Sequence, residues 1–268
     1  MEFLEKNPLG YVTAAFLAGM FVGLGCVLMG VVGGYFNAAG SPATKLLNGL
    51  IFAVGLNFVF MAGAELFTGN NLIIIALLEK KIRLAEMLKN WFFVFWGNFL
   101  GAAFVAVLVV YGHTPDLFGG KLAVSMVNAA QNRVNLSFGE SFIRGILCNI
   151  LVCIAVWAAF AAKKVSGKLL MSFWPVMLFV LCGFEHSIAD IYFGIAGILT
   201  AGEYGIVAEG LNFGSFLLKN LIPVTLGNIV GGAGIVGVGY WAMYLKHTPG
   251  YRLSIESEQE EIDMAEEY

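Results

Sequence analysis

The chain has 268 residues, only 12% of them charged and 59% hydrophobic, with a mean hydropathy of +0.82. A soluble globular domain carries about 25% charged residues, so this composition excludes a soluble fold and indicates an integral membrane protein. The formal net charge of −3 comes without any basic tract, and no nucleic-acid partner is expected.

Met1–Pro8 is short and carries Glu2, Glu5 and Lys6, and no small-residue cleavage site interrupts the apolar run after it. That first run therefore reads as a membrane span and not as a signal or transit peptide. Six spans are expected, at about 10–33, 46–78, 90–111, 139–162, 169–196 and 218–245, each long enough for a ~30 Å hydrocarbon core. Two are interrupted: the second by "GAELFTGNN" (63–71), where Glu65 is the one charged residue between Leu46 and Leu78, and the fifth by "GFEHSIAD" (183–190). At about 33 and 28 residues these two exceed the ~20 that a crossing helix needs. Each is expected to be two half-helices with a non-helical joint.

The segments 79–89 and 163–168, with the two termini, hold ten lysines and arginines, and the opposite side holds five. The positive-inside rule then puts both termini in the cytoplasm of a multi-pass protein of the cell inner membrane. Residues 1–252 are expected to form a single transmembrane domain. Residues 253–268 form an acidic, solvated cytoplasmic tail. Cys26, Cys148, Cys153 and Cys182 all lie in apolar runs and read as small core residues, not as disulfides or ligands. No cofactor or metal is implied, because no Cys/His cluster has ligand spacing and no phosphate-binding glycine loop follows a strand.

The two interruptions are related. Gly63 and Glu65 match Gly183 and Glu185, and "GNFLGA" (97–102) matches "GNIVGG" (227–232) at Gly97, Asn98 and Gly101 against Gly227, Asn228 and Gly231. The offsets are 120 and 130 residues, so the chain is an internal repeat, about 10–111 and about 139–245, with one longer loop. Three spans per copy is an odd number, so the second copy is inverted in the membrane. Broken helices at matching positions of inverted repeats mark a substrate path near the midplane. Non-helical backbone is tolerated there when it lines a cavity or is buried in protein, and half-helix ends supply partial charge and free N–H groups. An intramembrane carboxylate is by default a pathway residue. The doubled placement of Glu65 and Glu185 instead favours loop anchors.

At these residues the sequence resembles the formate/nitrite transporter family. The resemblance covers nearly the whole chain, through "NPLG" (7–10), "AGAELFTGN" (62–70), "GNFLGA", "GILCNILVCIAVW" (145–157), "GFEHSIAD" and "NLIPVTLGNIVGG" (220–232). It implies an all-α, aquaporin-like protomer within a homopentamer, passing small monovalent anions such as formate, nitrite or hydrosulfide. It also implies a pore histidine at His186, a loop threonine at Thr68 and polar asparagines at Asn149 and Asn228. Apolar slits are implied at Phe52, Leu56, Leu66, Phe67 and Phe179. The sequence departs from the family pattern at Arg133, where a vestibule lysine is usual, and at Asp190, where asparagine is usual.

Histidine is the side chain whose ordinary titration lies near neutrality, so His186 can exchange a proton with a passing anion or sense pH. Thr68 can set its tautomer, and Asn149 and Asn228 offer amide donors. Asn98 reads as structural, and His113 and His247 as interfacial. Arg133 keeps the positive charge of the usual lysine without its readily shifted titration. It can concentrate anions, or be a solvated charge in an extracellular segment. Asp190 repels anions if ionised, or pairs with a nearby cation.

A desolvated anion is strongly disfavoured in an apolar constriction and a neutral acid is not, so entry as an anion and passage as HA is coherent. Passage of the charged anion past a protonated His186 also fits. A hydrolase built on Glu185, His186 and Ser187 is disfavoured, because consecutive helical residues point about 100° apart. An uncharged-solute channel lacks Asn-Pro-Ala motifs. A strictly proton-coupled symporter needs the same residues as a channel.

Overall fold

The structure is a computed structural model that describes residues 2–246. His247, Arg252 and the acidic tail fall outside the described residues.

A short helix α1 (Glu2–Lys6) precedes α2 (Pro8–Ala38), and Asn7 caps α2 by accepting the Gly10 N–H at 2.9 Å. The second span is broken as its polar centre requires. α3 (Thr44–Met61) stops, Gly63 takes a left-handed φ of +63°, and α4 (Gly69–Leu78) starts as a 3₁₀ turn. α5 (Leu84–Tyr111) begins six residues before the apolar run, because the Glu86 side chain accepts the Arg83 N–H at 2.6 Å and caps the helix. Hydropathy marks where a helix becomes greasy, whereas capping marks where it begins.

The second copy follows α6 (Lys121–Val134). It consists of α7 (Phe138–Ala161), α8 (Val165–Cys182), a break with Gly183 at φ +71°, α9 (Ser187–Glu203), and α10 (Phe213–Tyr244) with wide π turns at Phe216–Leu221 and Val230–Gly237. Among the described residues six helices are long and apolar enough to cross a membrane: α2, α3, α5, α7, α8 and α10. The half-helices α4 and α9 complete the two broken spans.

Hydropathy gives no sign of α6. The segment holding Arg133 reads as a polar loop by that measure, yet it forms a 14-residue helix whose Leu122, Met126, Val127, Ala130 and Val134 are buried. These apolar positions at helical spacing make one face, which α9 and α2 cover.

Packing repeats as the sequence does. α2 lies on α3 and α5, α7 lies on α8 and α10, and α3 meets α8 where the copies join. The half-helices cross over: α4 packs on α10 and α9 packs on α5. Backbones touch at matched glycines. A Cβ on Gly101 would stand 2.0 Å from the Phe16 carbonyl oxygen, and one on Gly231 2.2 Å from that of Ile146. Small residues permit such approach in membranes, where helix association relies on close packing. The outward faces stay apolar, with Leu24, Phe92, Trp96, Leu100 and Phe104 exposed. Of the cysteines, Cys26, Cys148 and Cys153 are buried and Cys182 is exposed, which corrects the core reading for Cys182; none forms a disulfide.

Candidate functional site

Each break is tied down by one asparagine. Asn98 Oδ1 accepts the Phe67 N–H (2.8 Å), and its Nδ2 donates to the carbonyls of Ala15 (2.7 Å) and Glu65 (2.9 Å). Asn228 Oδ1 accepts the Ser187 N–H (3.0 Å), and its Nδ2 donates to the carbonyls of Gly145 (2.8 Å) and Glu185 (3.2 Å). Every partner in the second set sits at the offset of its counterpart in the first. Asn228 is thus committed to the backbone as Asn98 is, and its amide is not turned into the pathway. Asn149 is also inward-committed. Its Nδ2 donates to Asn71 Oδ1 (2.9 Å) and to the carbonyls of Asn228 (2.7 Å) and Thr68 (3.3 Å), so it braces Thr68 from behind.

These anchors bring together residues 118 positions apart. Thr68 precedes α4 and His186 is the N-cap of α9, and Thr68 Oγ1 lies 2.9 Å from His186 Nε2. His186 Nδ1 accepts the Ala189 N–H at 3.2 Å. A backbone N–H only donates, so Nδ1 is unprotonated and the ring proton of neutral His186 is on Nε2. Nε2–H then donates to Thr68 Oγ1, which leaves the threonine hydroxyl hydrogen available. Two half-helix N-termini meet at this contact, and both carry partial positive charge.

An apolar collar surrounds it. Val22, Phe52, Leu56, Leu66, Val152, Val176 and Phe179 enclose, with His186, a cavity of about 20 Å³, room for about one water. Phe179 stacks on the imidazole (6.0 Å, 13°), and Phe52 meets Phe179 edge-on at 5.9 Å. Leu66 occupies the first-copy position that His186 holds in the second. Phe67 does not line the cavity; it packs on Phe95 (5.2 Å) and Trp91 (6.3 Å).

At the end of the molecule where α2 finishes, a cavity of about 570 Å³ is lined by Asn37, Asn48, Asn128, Asn132 and Lys121, with Phe193 in its wall. Arg133 lies behind this wall. Its Nε is 2.9 Å from Asp190 Oδ1 and 3.4 Å from Glu185 Oε2, and its guanidinium lies 4.1 Å over the Phe193 ring. The solvated-loop reading of Arg133 is therefore corrected, and the cation paired with Asp190 is Arg133. Glu65 has no such partner among the described residues: its Oε2 accepts Asn70 Nδ2 at 2.8 Å and Tyr11 Oη at 3.5 Å, and Asn90 completes the cluster. Sequence reading missed this cluster, although Asn70 and Asn90 stand at the repeat offsets from Asp190 and Asn220.

The formate/nitrite transporter family model matches residues 1–242. The chain belongs to the formate/nitrite transporter family. It is 37% identical over 224 residues to a formate channel of Haemophilus influenzae, covering 79% of this chain and 78% of that protein. It is 38% identical over 232 residues to a formate channel of Bacillus thuringiensis, covering 86% and 85%. A solved pentameric formate channel with formate bound superposes with a TM-score of 0.78 at 33% identity, over 90% of this chain and 99% of that one. This member of the family is a multi-pass membrane transport protein and not an enzyme, and the hydrolase reading of Glu185, His186 and Ser187 falls away.

Proposed function

We propose that this formate/nitrite transporter family member is a homopentameric channel for small monovalent weak-acid anions, formate first among formate, nitrite and hydrosulfide. The observation that carries this reading is the meeting of two half-helix N-termini at Thr68 and His186 inside an apolar collar. The partial positive charge and the available Thr68 hydroxyl hydrogen favour an anion there, while the collar opposes any charged species beyond it. The wide cavity serves as a vestibule lined by amides and Lys121. An anion reaching the collar meets Nε2–H and the Thr68 hydroxyl. A proton taken up from the vestibule displaces the Ala189 N–H from Nδ1; the resulting imidazolium gives its Nε2 proton to the anion, HA crosses, and proton exchange returns the ring to the Nε2–H form. The exposed apolar helix faces fit the bilayer and neighbouring protomers. The charge bias of the loops supports an orientation with both termini in the cytoplasm, in the inner membrane.

The test is uptake into proteoliposomes of formate, nitrite, hydrosulfide and chloride, by wild type and His186→Ala. Formate is expected to exceed chloride by on the order of a hundredfold, since a strong-acid anion has no neutral form with which to avoid the desolvation penalty. The alanine variant is expected to lose the part of the pH dependence that follows protonation of the His186 ring. Chloride flux equal to formate flux would overturn passage as HA, and uptake of glycerol instead of any anion would establish the uncharged-solute alternative. Formate uptake that moves no protons would overturn passage as HA, whereas one proton per formate fits HA passage and the strictly coupled symporter alike.

The collar yields a further expectation. The 20 Å³ cavity is too small for formate at rest, so Phe52, Leu56, Leu66 or Phe179 must shift during passage. Leu66→Ala removes part of the collar beside His186 and is expected to raise the flux of larger monocarboxylates several-fold. Unfolding measurements should show a stability loss of about 2–5 kcal/mol for the cavity created.

A further inference from the structure

Arg133, Glu185 and Asp190 form a cluster whose charges do not balance if all three ionise. The guanidinium Nε faces both carboxyls, at 2.9 Å and 3.4 Å, and Nη1 donates to the Ala129 carbonyl at 2.9 Å. All three side chains are largely withdrawn from solvent, Asp190 most of all with a side-chain exposure of 1%. The two carboxyl groups are in contact with each other. The Asn220 amide adds a long bond of 3.5 Å to Glu185 Oε2. Asp190 Oδ2 is buried and has no hydrogen-bond donor among the described residues. The other titratable groups facing the cluster are the thiols of Cys26 on α2 and Cys148 on α7, which bring no positive charge. Arg144 on α7 turns to the Gly183 carbonyl at 3.5 Å, and His186 is committed to Thr68 and Ala189.

Two ionised carboxyls on one guanidinium would leave a buried net charge of −1 and a carboxylate oxygen with no donor, a costly arrangement. One proton cures both faults. We propose that Glu185 and Asp190 share a single proton at neutral pH, carried on Asp190 Oδ2 and donated to the Glu185 carboxylate, so that the cluster with Arg133 is a neutral proton-binding site. The two departures from the family pattern, Arg133 and Asp190, meet in this cluster. It stands behind the vestibule wall, because Ala129 and Phe193 line that cavity. Loss of the proton to solvent leaves a charge of −1 there and opposes anion entry. The proton site stands on its own geometry, whereas its effect on flux rests on the anion-channel reading.

Infrared spectroscopy of the purified protein in lipid tests it. The carbonyl stretch of an un-ionised carboxylic acid, shifted by deuterium oxide, is expected in the wild type at neutral pH. Asp190→Asn should remove it, because Glu185 then pairs alone with Arg133. Isotopic labelling of aspartate carboxyls in the wild type assigns the band even if that variant does not fold. Absence of the band in the wild type, its survival in Asp190→Asn, or its failure to shift on aspartate labelling overturns the proposal. In liposomes, raising the vestibule-side pH should slow anion uptake in the wild type by on the order of tenfold beyond its effect on Asp190→Asn. Equal pH profiles remove the proposed effect on entry. A protein that shows the band yet moves no anion sinks the channel reading and leaves the proton site intact.

Discussion

Asn228→Ala is expected to abolish transport and to destabilise the protein by several kcal/mol, although the asparagine amide does not turn into the pathway. Its loss strands the Ser187 N–H and leaves the Gly145 and Glu185 carbonyls without the amide hydrogens that hold them. Each buried polar group left unsatisfied costs about 1–3 kcal/mol, and no water is at hand within the membrane to replace the amide. The break then loses the geometry that aims His186 at Thr68. Asn98→Ala removes the equivalent three bonds from the other break and is expected to do equal damage, though it lies in the copy without the histidine. Thermal unfolding followed by tryptophan fluorescence, together with formate uptake, checks both variants. If Asn228→Ala were as stable as wild type but impaired in flux, the residue would be a pathway group and the anchoring account would be wrong.

Comparable damage is expected from a single methyl group at Gly231 or Gly101. The added Cβ would lie 2.2 Å or 2.0 Å from a backbone oxygen of the neighbouring helix, so it cannot be accommodated by turning a side chain. The helices must separate, α7 from α10 or α2 from α5, and the asparagine anchors span those same interfaces. Gly231→Ala and Gly101→Ala are expected to reduce the yield of folded protein at least tenfold in size-exclusion profiles. Gly234→Ala provides the control within α10: nothing lies within 4 Å of its Cβ. It is expected to be tolerated, or stabilised by up to ~1 kcal/mol, the usual advantage of alanine over glycine in a helix. Equal tolerance at Gly231 and Gly234 would show that the close approach is not required.

Much of this architecture is legible in the chain itself, because the signals are strong and local. A bilayer forbids unpaired charge, so one glutamate in a long apolar run is enough to locate the first break. The matched Gly-x-Glu and Gly-Asn-x-x-Gly patterns locate the second and show the inverted repeat. Asn98 reads as structural from its setting, and the same offset applied to Asn228 points to the same role. That inference is open to sequence reasoning and is overshadowed by the family pattern. α6 is illegible to hydropathy because its stability comes from one buried face, in a segment whose average is polar.

The sequence by itself determined the class of solvent, the number of crossings, their inversion and the two places where helix gives way to loop, since each follows from the free-energy cost of placing polar groups in hydrocarbon. Only the tertiary structure decided which polar groups meet. Thr68 and His186 are 118 residues apart and touch because two anchors orient two breaks toward each other. Leu66 lines the collar and Phe67 turns away because adjacent residues point in different directions. Arg133 faces Glu185 and Asp190 because α6 folds back over α9. A hydrogen bond or ion pair depends on a few ångströms of placement between distant segments, and that is set by packing, which no local pattern encodes.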